Sequence, residues 1–367
     1  MNKKILILSV ADLRHMTAAG YFYYYLSHNN LEFDIVCTDR YDNLSTDQYP
    51  YNIYSYKWIS TTHQPKIKKI IPMLRFRKYA IDKIKKNKYL YIIVWGENAG
   101  ILFGSYLRKK YKGNYCINIR DIDIFKTLKI SWCLNLIEKY ALKYAQFYTT
   151  PAPGGLFFKH KNALILLNRD YITLEKCEVR KCFKEVKKSP IVITYMGLIN
   201  QYYEFFKKIV KVFANDERYL LCFYGEGSEK IDQYVNEKKI NNIETKGAFS
   251  ANETFQYLNK TDIIFSAYGK TNYGVTDAIG VKESYGPQLR IPVISDNYGI
   301  WYDIALKYGF GYGIDESNID KLPNDLFDWY CGLDFKIFEK GCIEYCNIVE
   351  KNNRKVWRLL DRKIMGK

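Results

Sequence analysis

Residues 262–296 read DIIFSAYGKTNYGVTDAIGVKESYGPQLRIPVISD, and this stretch decides the fold. Ile263, Ile264 and Phe265 make a short apolar run of the kind a buried strand needs. A Gly- and Tyr-rich loop follows. A helix starts near Lys282-Glu283, and a second apolar strand, Ile291 to Ile294, comes after Pro287. In an open α/β sheet a ligand binds just past the carboxyl ends of the strands. A cation and a carboxylate side by side at that place suit a phosphate and a pair of sugar hydroxyls. The same pattern suits an ordinary β-α-β unit with a solvated Lys-Glu pair, so the rest of the chain has to choose.

Working back from this stretch, the second half repeats one unit. Ile191 to Tyr195 is a strand ending at Gly197, followed by a helix over Glu204 to Phe213. Tyr219 to Tyr224 is a strand ending in Gly225-Glu226-Gly227, with a helix over Ile231 to Lys238. Ile243 to Lys246 ends at Gly247, and Glu253 to Leu258 is a short helix. The first half alternates in the same way. Lys3 to Val10, Phe33 to Cys37, Tyr89 to Trp95, Tyr115 to Ile119, Phe147 to Thr150 and Ala163 to Leu167 read as strands between helical patterns. The expected fold class is therefore α/β: two Rossmann-like, doubly wound parallel-sheet domains facing a cleft. The expected domains are 1–176 and 191–334, with a charged linker over 177–190. A last helix, from Phe335 to about Leu360, is expected to pack back on the first domain.

At 367 residues with 48% apolar and 17% aromatic content, the chain has core for two domains. Nine cysteines without a CxxC pair point to reduced thiols and a cytoplasmic protein. The apolar start, Ile5 to Val10, breaks at Asp12-Leu13-Arg14 and reads as a strand rather than a signal peptide. Tyr89 to Leu107 contains Glu97, Asn98 and three glycines and is not a transmembrane helix.

The net charge of +17 is unevenly placed. Residues 1–190 carry 33 Lys and Arg against 15 Asp and Glu, whereas residues 191–367 carry 23 against 24. The excess peaks over residues 57–88, with eleven cations and the single acid Asp82. There IKKIIPMLRFRKYAIDKIKKNK interleaves large apolar residues with Lys and Arg, which suits an interfacial helix pair on an anionic inner-membrane surface. A basic solvated face has the same composition. No nucleic-acid partner is expected, because no helix-turn-helix, RNP-like or zinc pattern accompanies the charge.

Five elements of the second half, in order, carry a family resemblance. These are ITYMG, LLCFYGEGSEKIDQYV, NNIETKGAF, NKTDIIFSAY and KESYGPQLRIPVIS. In the first half YCINIRDID and LILLNRD add to it. Together they resemble the GT-B glycosyltransferases, in particular the large retaining family of bacterial capsule and O-antigen sugar transferases. The resemblance spans nearly the whole chain. It implies a nucleotide-diphosphate sugar donor, a polyprenyl-linked oligosaccharide acceptor, a cytoplasmic location on the inner face of the membrane, no metal, and no cofactor beyond the sugar nucleotide, which is a substrate.

The residues departing from the pattern are as informative. The family's basic residue after the first glycine is Leu198 here, and its lysine some five residues later falls at about Tyr203. Eight residues before Glu283, where a second glutamate is usual, stands Val275, with Asp277 as the nearest acid. Counted from Pro292, the usual glutamate falls on Tyr285, whereas Lys282 matches a lysine that a subset of the family carries. The resemblance thus implies donor-binding roles for Gly197, Phe249, Lys270, Lys282, Glu283 and Tyr285, and catalytic roles for Arg120, Asp121 and Asp277. Asp12, His15 and Gly20, around the first strand end, are acceptor-side candidates. Each has a plainer reading: a helix cap and ion pair for Arg120, Asp121 and Asp123, a solvated loop histidine for His15, core for Phe249. A nucleotide-sugar 2-epimerase of the same fold, and a GT-B pseudoenzyme serving as partner subunit, are the two alternative functions.

Overall fold

Parallel strands cannot be joined by tight turns; each needs a crossover, normally helical. The computed structural model describes residues 4–13, 16, 19–40, 51–59, 70–120, 131–152, 156, 158–186, 189–269 and 279–366. Every strand pairing within them is parallel. The chain divides into two compact units, Met1–Leu167 with Glu350–Lys367, and Asn168–Val349.

The first unit contains β1 (Ile5–Asp12), α1 (Gly20–His28), β2 (Phe33–Asp39), β3 (Asn52–Lys57), α2 (Ile70–Asn87), β4 (Tyr91–Trp95), α3 (Glu97–Tyr111), β5 (Tyr115–Asn118), α4 (Ser131–Lys143), β6 (Phe147–Thr150) and β7 (Ala163–Ile165). Its sheet runs β3-β2-β1-β4-β5-β6-β7. In the central strand β1, Ile5, Leu6, Ile7 and Leu8 are all fully buried, so both faces are covered and the sequence shows a continuous apolar run instead of alternation. Edge strand β3, NIYSYK, is only partly covered, which is why its polar sequence gives no strand signal. Right-handed crossovers put α2, α3 and α4 on one face. There Phe76, Ala80 and Ile84 of α2 share a core with Ala99, Phe103 and Leu107 of α3 and Ala141 and Leu142 of α4. Of the interfacial helix pair expected within 57–88, the described residues show one helix, α2, which runs unbroken from Ile70 to Asn87 through Pro72. Residues 60–69 lie outside the described residues.

The second unit contains α5 (Tyr171–Leu174), β8 (Ile191–Met196), α6 (Tyr203–Val212), β9 (Tyr219–Tyr224), α7 (Ser228–Lys238), β10 (Ile243–Lys246), α8 (Thr254–Leu258), β11 (Ile263–Ser266), α9 (Val281–Leu289), β12 (Val293–Asp296), α10 (Ile300–Lys307), β13 (Gly311–Ile314), α11 (Leu322–Cys331) and the start of α12 (Phe335–Leu360). Its sheet runs β10-β9-β8-β11-β12-β13. Helix α6 shows how the crossovers are held: Phe205, Phe206, Ile209 and Val210 form one buried stripe. Each such side chain contributes roughly 1.5–3 kcal/mol on leaving water.

Residues expected as a linker, 177–190, belong instead to the second unit. The Arg180 guanidinium donates to the carbonyls of Leu258, Asn259 and Thr261. Lys184 pairs with Asp262 at 2.9 Å, and Phe183 packs edge-on against Phe335 and Phe338. The charges that make this segment look solvated satisfy orphan carbonyls at the end of α8. The last residues of α12 belong to the first unit, where Trp357 packs on Tyr21 and Tyr25 of α1.

Candidate functional site

In the second unit the strand order reverses between β8 and β11. Crossovers leave these two strands in opposite directions and open a crevice at their carboxyl ends. Around it lie Tyr195 and Gly197 from the end of β8, Tyr268 just after β11, and Lys282 from the first turn of α9. The Lys282 ammonium lies 3.6 Å from the centre of the Tyr195 ring and 4.6 Å from that of Tyr268. Among the described residues no carboxylate pairs with it. Burial brings its pKa down to about 7, while the neighbouring Glu283 and the two ring faces favour the charged form. Among the described residues the ammonium is held by aromatic faces and not by a paired carboxylate, which leaves its charge available for an anion.

Gly197 contributes space, and a different kind of help from the one its sequence suggests. Its N–H donates to the Tyr224 carbonyl, and the Ile199 N–H donates to the Glu226 carbonyl. At φ +145°, a side chain on Gly197 would stand 3.4 Å from the Tyr195 hydroxyl and 3.7 Å from Lys282 Nζ. The missing side chain keeps the approach to the ammonium open. Gly225, at φ +143°, lies directly under Gly197: a Cβ there would come within 1.9 Å of the Gly197 carbonyl oxygen. The glycines after β8 and β9 thus pack two strand-end loops against each other.

Glu283 is next to Lys282 in sequence and points elsewhere. It is 2% exposed and serves as the capping acid of α9, accepting from the Gly280 N–H and from Ser266 Oγ at 2.8 Å. Burial raises its pKa, and the helix N-terminus and these donors oppose the rise. The Lys-Glu pair is therefore split, the lysine to the crevice and the carboxylate to the backbone beneath it. Tyr285, on the next turn, is buried with its hydroxyl donating to Asp170 at 2.9 Å, and is not brought to the Lys282 group. Phe249 lies half-buried past β10, edge-on to Tyr257, which in turn packs on Tyr224.

Leu198 and Tyr203, at the usual basic positions, do not bring charge themselves. Leu198 is 43% exposed. Tyr203, the first residue of α6, has Lys207 and Lys230 at 6.0 and 5.7 Å from its ring, so cations from α6 and α7 flank it. Sequence reasoning missed three further residues: the rings of Tyr195 and Tyr268, and Asp296. The Asp296 carboxylate accepts from the N–H groups of Tyr268 and Gly269 at 2.9 Å and fixes the loop after β11. The available signal for the two rings was a tyrosine one or two residues ahead of each strand-end glycine, in TYMG and SAYG.

In the first unit the order reverses between β1 and β4. Asp12 closes β1 rather than lying in a loop; it is fully buried and accepts from the Arg40 N–H at 2.9 Å, tying the ends of β1 and β2. Gly20 is the buried first residue of α1. Arg120, one strand further at the end of β5, lies with its guanidinium 5.2 Å from the Trp95 ring. His15, Asp121, Asp123, Lys270 and Asp277 lie outside the described residues. Among the described residues no cluster of three or more His, Cys, Asp and Glu side chains is placed to hold a metal ion. No helix among them is long and apolar enough to cross a membrane.

A scan against protein-family models and a search of curated proteins find no match. Solved structures do match over nearly the whole chain. HepE of Anabaena, solved in complex with UDP, is 11% identical with a TM-score of 0.67, covering 98% of this chain and 99% of that one. Sucrose-phosphate synthase from Thermosynechococcus elongatus is 13% identical with a TM-score of 0.65, covering 99% and 97%. A candidate UDP-N-acetylglucosamine 2-epimerase from Listeria monocytogenes is 11% identical with a TM-score of 0.59, covering 93% and 91%. At these identities the likeness shows the fold: two Rossmann-like domains with parallel sheets, the GT-B fold.

Proposed function

We propose that the protein is a glycosyltransferase that moves a sugar from a nucleotide-diphosphate donor to a polyprenyl-linked oligosaccharide during capsule or O-antigen polysaccharide synthesis. The observation that carries the reading is the Lys282 ammonium, enclosed by Tyr195 and Tyr268 beside the open approach over Gly197. Glycosyl transfer passes through an oxocarbenium-like state with a departing diphosphate, whose growing negative charge needs a fixed cation. Lys282 answers that need from the strand-reversal crevice. Glu283 holds the first turn of α9 so that the lysine is aimed without searching, which makes it a positioning residue. In this reading Phe249 borders the base, and Arg120 is one of the catalytic residues. Lys270 completes the proposed donor set, and Asp121 and Asp277 the proposed catalytic set. The retaining course follows from the resemblance, with the leaving phosphate assisting on the same face.

The reading places the protein in the cytoplasm on the inner face of the membrane, through the basic 57–88 region. One observation favours a partner subunit that binds donor without turning it over: the exposed Leu198 at a position the family reserves for a cation. The test is a thermal-shift screen against UDP-, GDP-, dTDP- and CMP-sugars, followed by transfer assays with the best binder. Stabilisation by one nucleotide sugar and its loss in Lys282→Met supports the donor site. Binding without hydrolysis or transfer points to the partner subunit, sugar interconversion without acceptor to the epimerase, and no stabilisation by any nucleotide sugar removes the reading.

A further inference from the structure

A small polar chamber opens between the carboxyl ends of β11 and β12 and the first turns of α9 and α10. Its inner wall is Ser266, Ser295, Asp296, Glu283 and Trp301, each at most 6% exposed. It reaches the surface past the half-buried Tyr298 and Tyr302 and has room for about one water-sized group. The hydrogen-bonding capacity of this wall is lopsided. Each carboxylate has about four acceptor positions. Glu283 fills two, with Ser266 Oγ and the Gly280 N–H, and Asp296 fills two, with the N–H groups of Tyr268 and Gly269. Both serine hydroxyls have spent their hydrogen, Ser266 on Glu283 and Ser295 on the Asp296 carbonyl. The indole N–H of Trp301 is buried without a hydrogen-bond partner among the described residues. Its ring is held against Phe310 and Tyr345, at centroid distances of 5.6 and 5.9 Å. A group that accepts one hydrogen bond and donates another completes this wall. A hydroxyl does both. An ammonium only donates, and a carboxylate only accepts. A carboxylate would also meet two carboxyls whose pKa values burial already raises.

The chamber adjoins the Lys282 crevice. Glu283 follows Lys282 in α9, and Asp296 holds the loop that carries the Tyr268 ring. The crevice lies between β8 and β11 and the chamber between β11 and β12, so they are neighbours along one rim, about one strand spacing of roughly 4.8 Å apart. We propose that this chamber reads one ring hydroxyl of the donor sugar, with Trp301 donating to its oxygen and Glu283 or Asp296 accepting from it. The donor is then a sugar with a free hydroxyl at that position. A sugar deoxygenated there leaves the indole N–H unpaired, and one bearing a carboxylate or an acetamido group there meets repulsion or lacks room. The proposal rests on the nucleotide-sugar reading above and goes beyond it by stating which sugars fit.

The test is calorimetric titration of the full chain with UDP-glucose, UDP-galactose, GDP-mannose and dTDP-glucose, each against its bare nucleoside diphosphate. The tightest conjugate is then compared with analogues that each lack one ring hydroxyl. In the wild type, one of these deletions should weaken binding about tenfold or more, because it strands a buried donor. Trp301→Phe keeps an aromatic ring and removes the N–H. It should weaken the parent conjugate by about 3- to 10-fold and shrink the penalty of that one deletion, leaving the other penalties as they are. A merely structural role for Trp301 would shift all analogues alike, and that result would overturn the proposal. So would deoxy analogues that all bind as the parent does, a series that needs only the wild type. Stabilisation by potassium or sodium chloride over choline chloride at equal ionic strength, lost in Asp296→Asn, would overturn it too by assigning the chamber to a cation. Bare nucleoside diphosphate binding as tightly as every conjugate removes the chamber's role and keeps the Lys282 site; no binding of any probe removes both.

Discussion

The Lys282 ammonium lies 3.6 Å from the centre of the Tyr195 ring, with no carboxylate paired to it among the described residues. Burial brings its pKa from 10.5 to about 7. Affinity for a nucleotide diphosphate should therefore be greatest below about pH 7 and fall as pH rises through that value. Stability should run the other way. Between about 7 and 10.5 the unfolded state binds the proton and the folded state does not, so stability rises with pH, by at most about 1.4 kcal/mol per unit. Lys282→Met should weaken binding by roughly 10- to 100-fold, as loss of a charge-assisted contact does, and flatten both profiles. Calorimetric titration and denaturant melts across this pH range check it; profiles unchanged in Lys282→Met would assign the titration to another group.

Gly225→Ala tests the packing under the site. The new Cβ would stand 1.9 Å from the Gly197 carbonyl oxygen, at a backbone φ of +143°. Neither obstacle is a flexible side-chain end, so the loops after β8 and β9 must part. A cost of about 2–4 kcal/mol is expected in denaturant unfolding, together with loss of nucleotide-sugar affinity. Gly247→Ala, with nothing within 4 Å of its Cβ, is the control and should change stability by less than about 1 kcal/mol.

The difference between these two glycines marks how far the sequence could be read. The strands were legible because parallel sheets bury both faces, so β1, β4 and β8 show as mainly apolar runs without alternation. The 26-residue α12 was legible from its helical periodicity. Edge strand β3 was not, since half-covered strands need not be apolar. The 177–190 segment misled for the opposite reason: Arg180 and Lys184 look solvated, and only the fold reveals the carbonyls and the carboxylate they meet. At the site, Lys282 was legible by its distance from Pro292. Its aromatic enclosure was not, because Tyr195, Tyr268 and Lys282 come from three separate elements. Nor does the sequence show that Glu283, one residue on, faces the backbone.

Asp34 separates stability from function. It is fully buried at the amino end of β2, pairing with Lys4 at 2.8 Å and accepting from the Tyr89 hydroxyl at 2.5 Å and from Asn52 at 3.1 Å. This is the sheet edge opposite the strand-end candidates. Tyr89→Phe should cost about 1–2 kcal/mol by removing one donor to a buried carboxylate, and Asp34→Ala about 3–5 kcal/mol by stranding the partners. Nucleotide-sugar affinity of the folded protein should not change in either variant. Chemical denaturation paired with thermal-shift titration reads both quantities, and a drop in affinity at full folding would contradict this separation.

Asn353 is the point at which α12 grips the first unit. Its side-chain amide, 1% exposed, donates to the Leu167 carbonyl and accepts from the Leu167 N–H, both at 3.1 Å. Its own carbonyl accepts from Tyr21 at 2.7 Å. Leu167 is the last residue before the chain passes to the second unit, so this one side chain supplies the two hydrogen bonds that a further strand would otherwise provide. Asn353→Leu keeps the branched shape and does not lower helix propensity, while leaving both Leu167 groups buried and unpaired, at an expected cost of about 2–5 kcal/mol. Asn353→Asp retains the acceptor, loses the donor and buries a charge, and should destabilise at least as much near neutral pH. Below the carboxyl's own pKa the protonated acid can donate as well as accept, so the deficit of Asn353→Asp should shrink as pH falls, whereas that of Asn353→Leu should not. Urea melts of both variants at neutral and acidic pH make the comparison, and equal pH responses would show that the pair of hydrogen bonds is not what the helix contributes here.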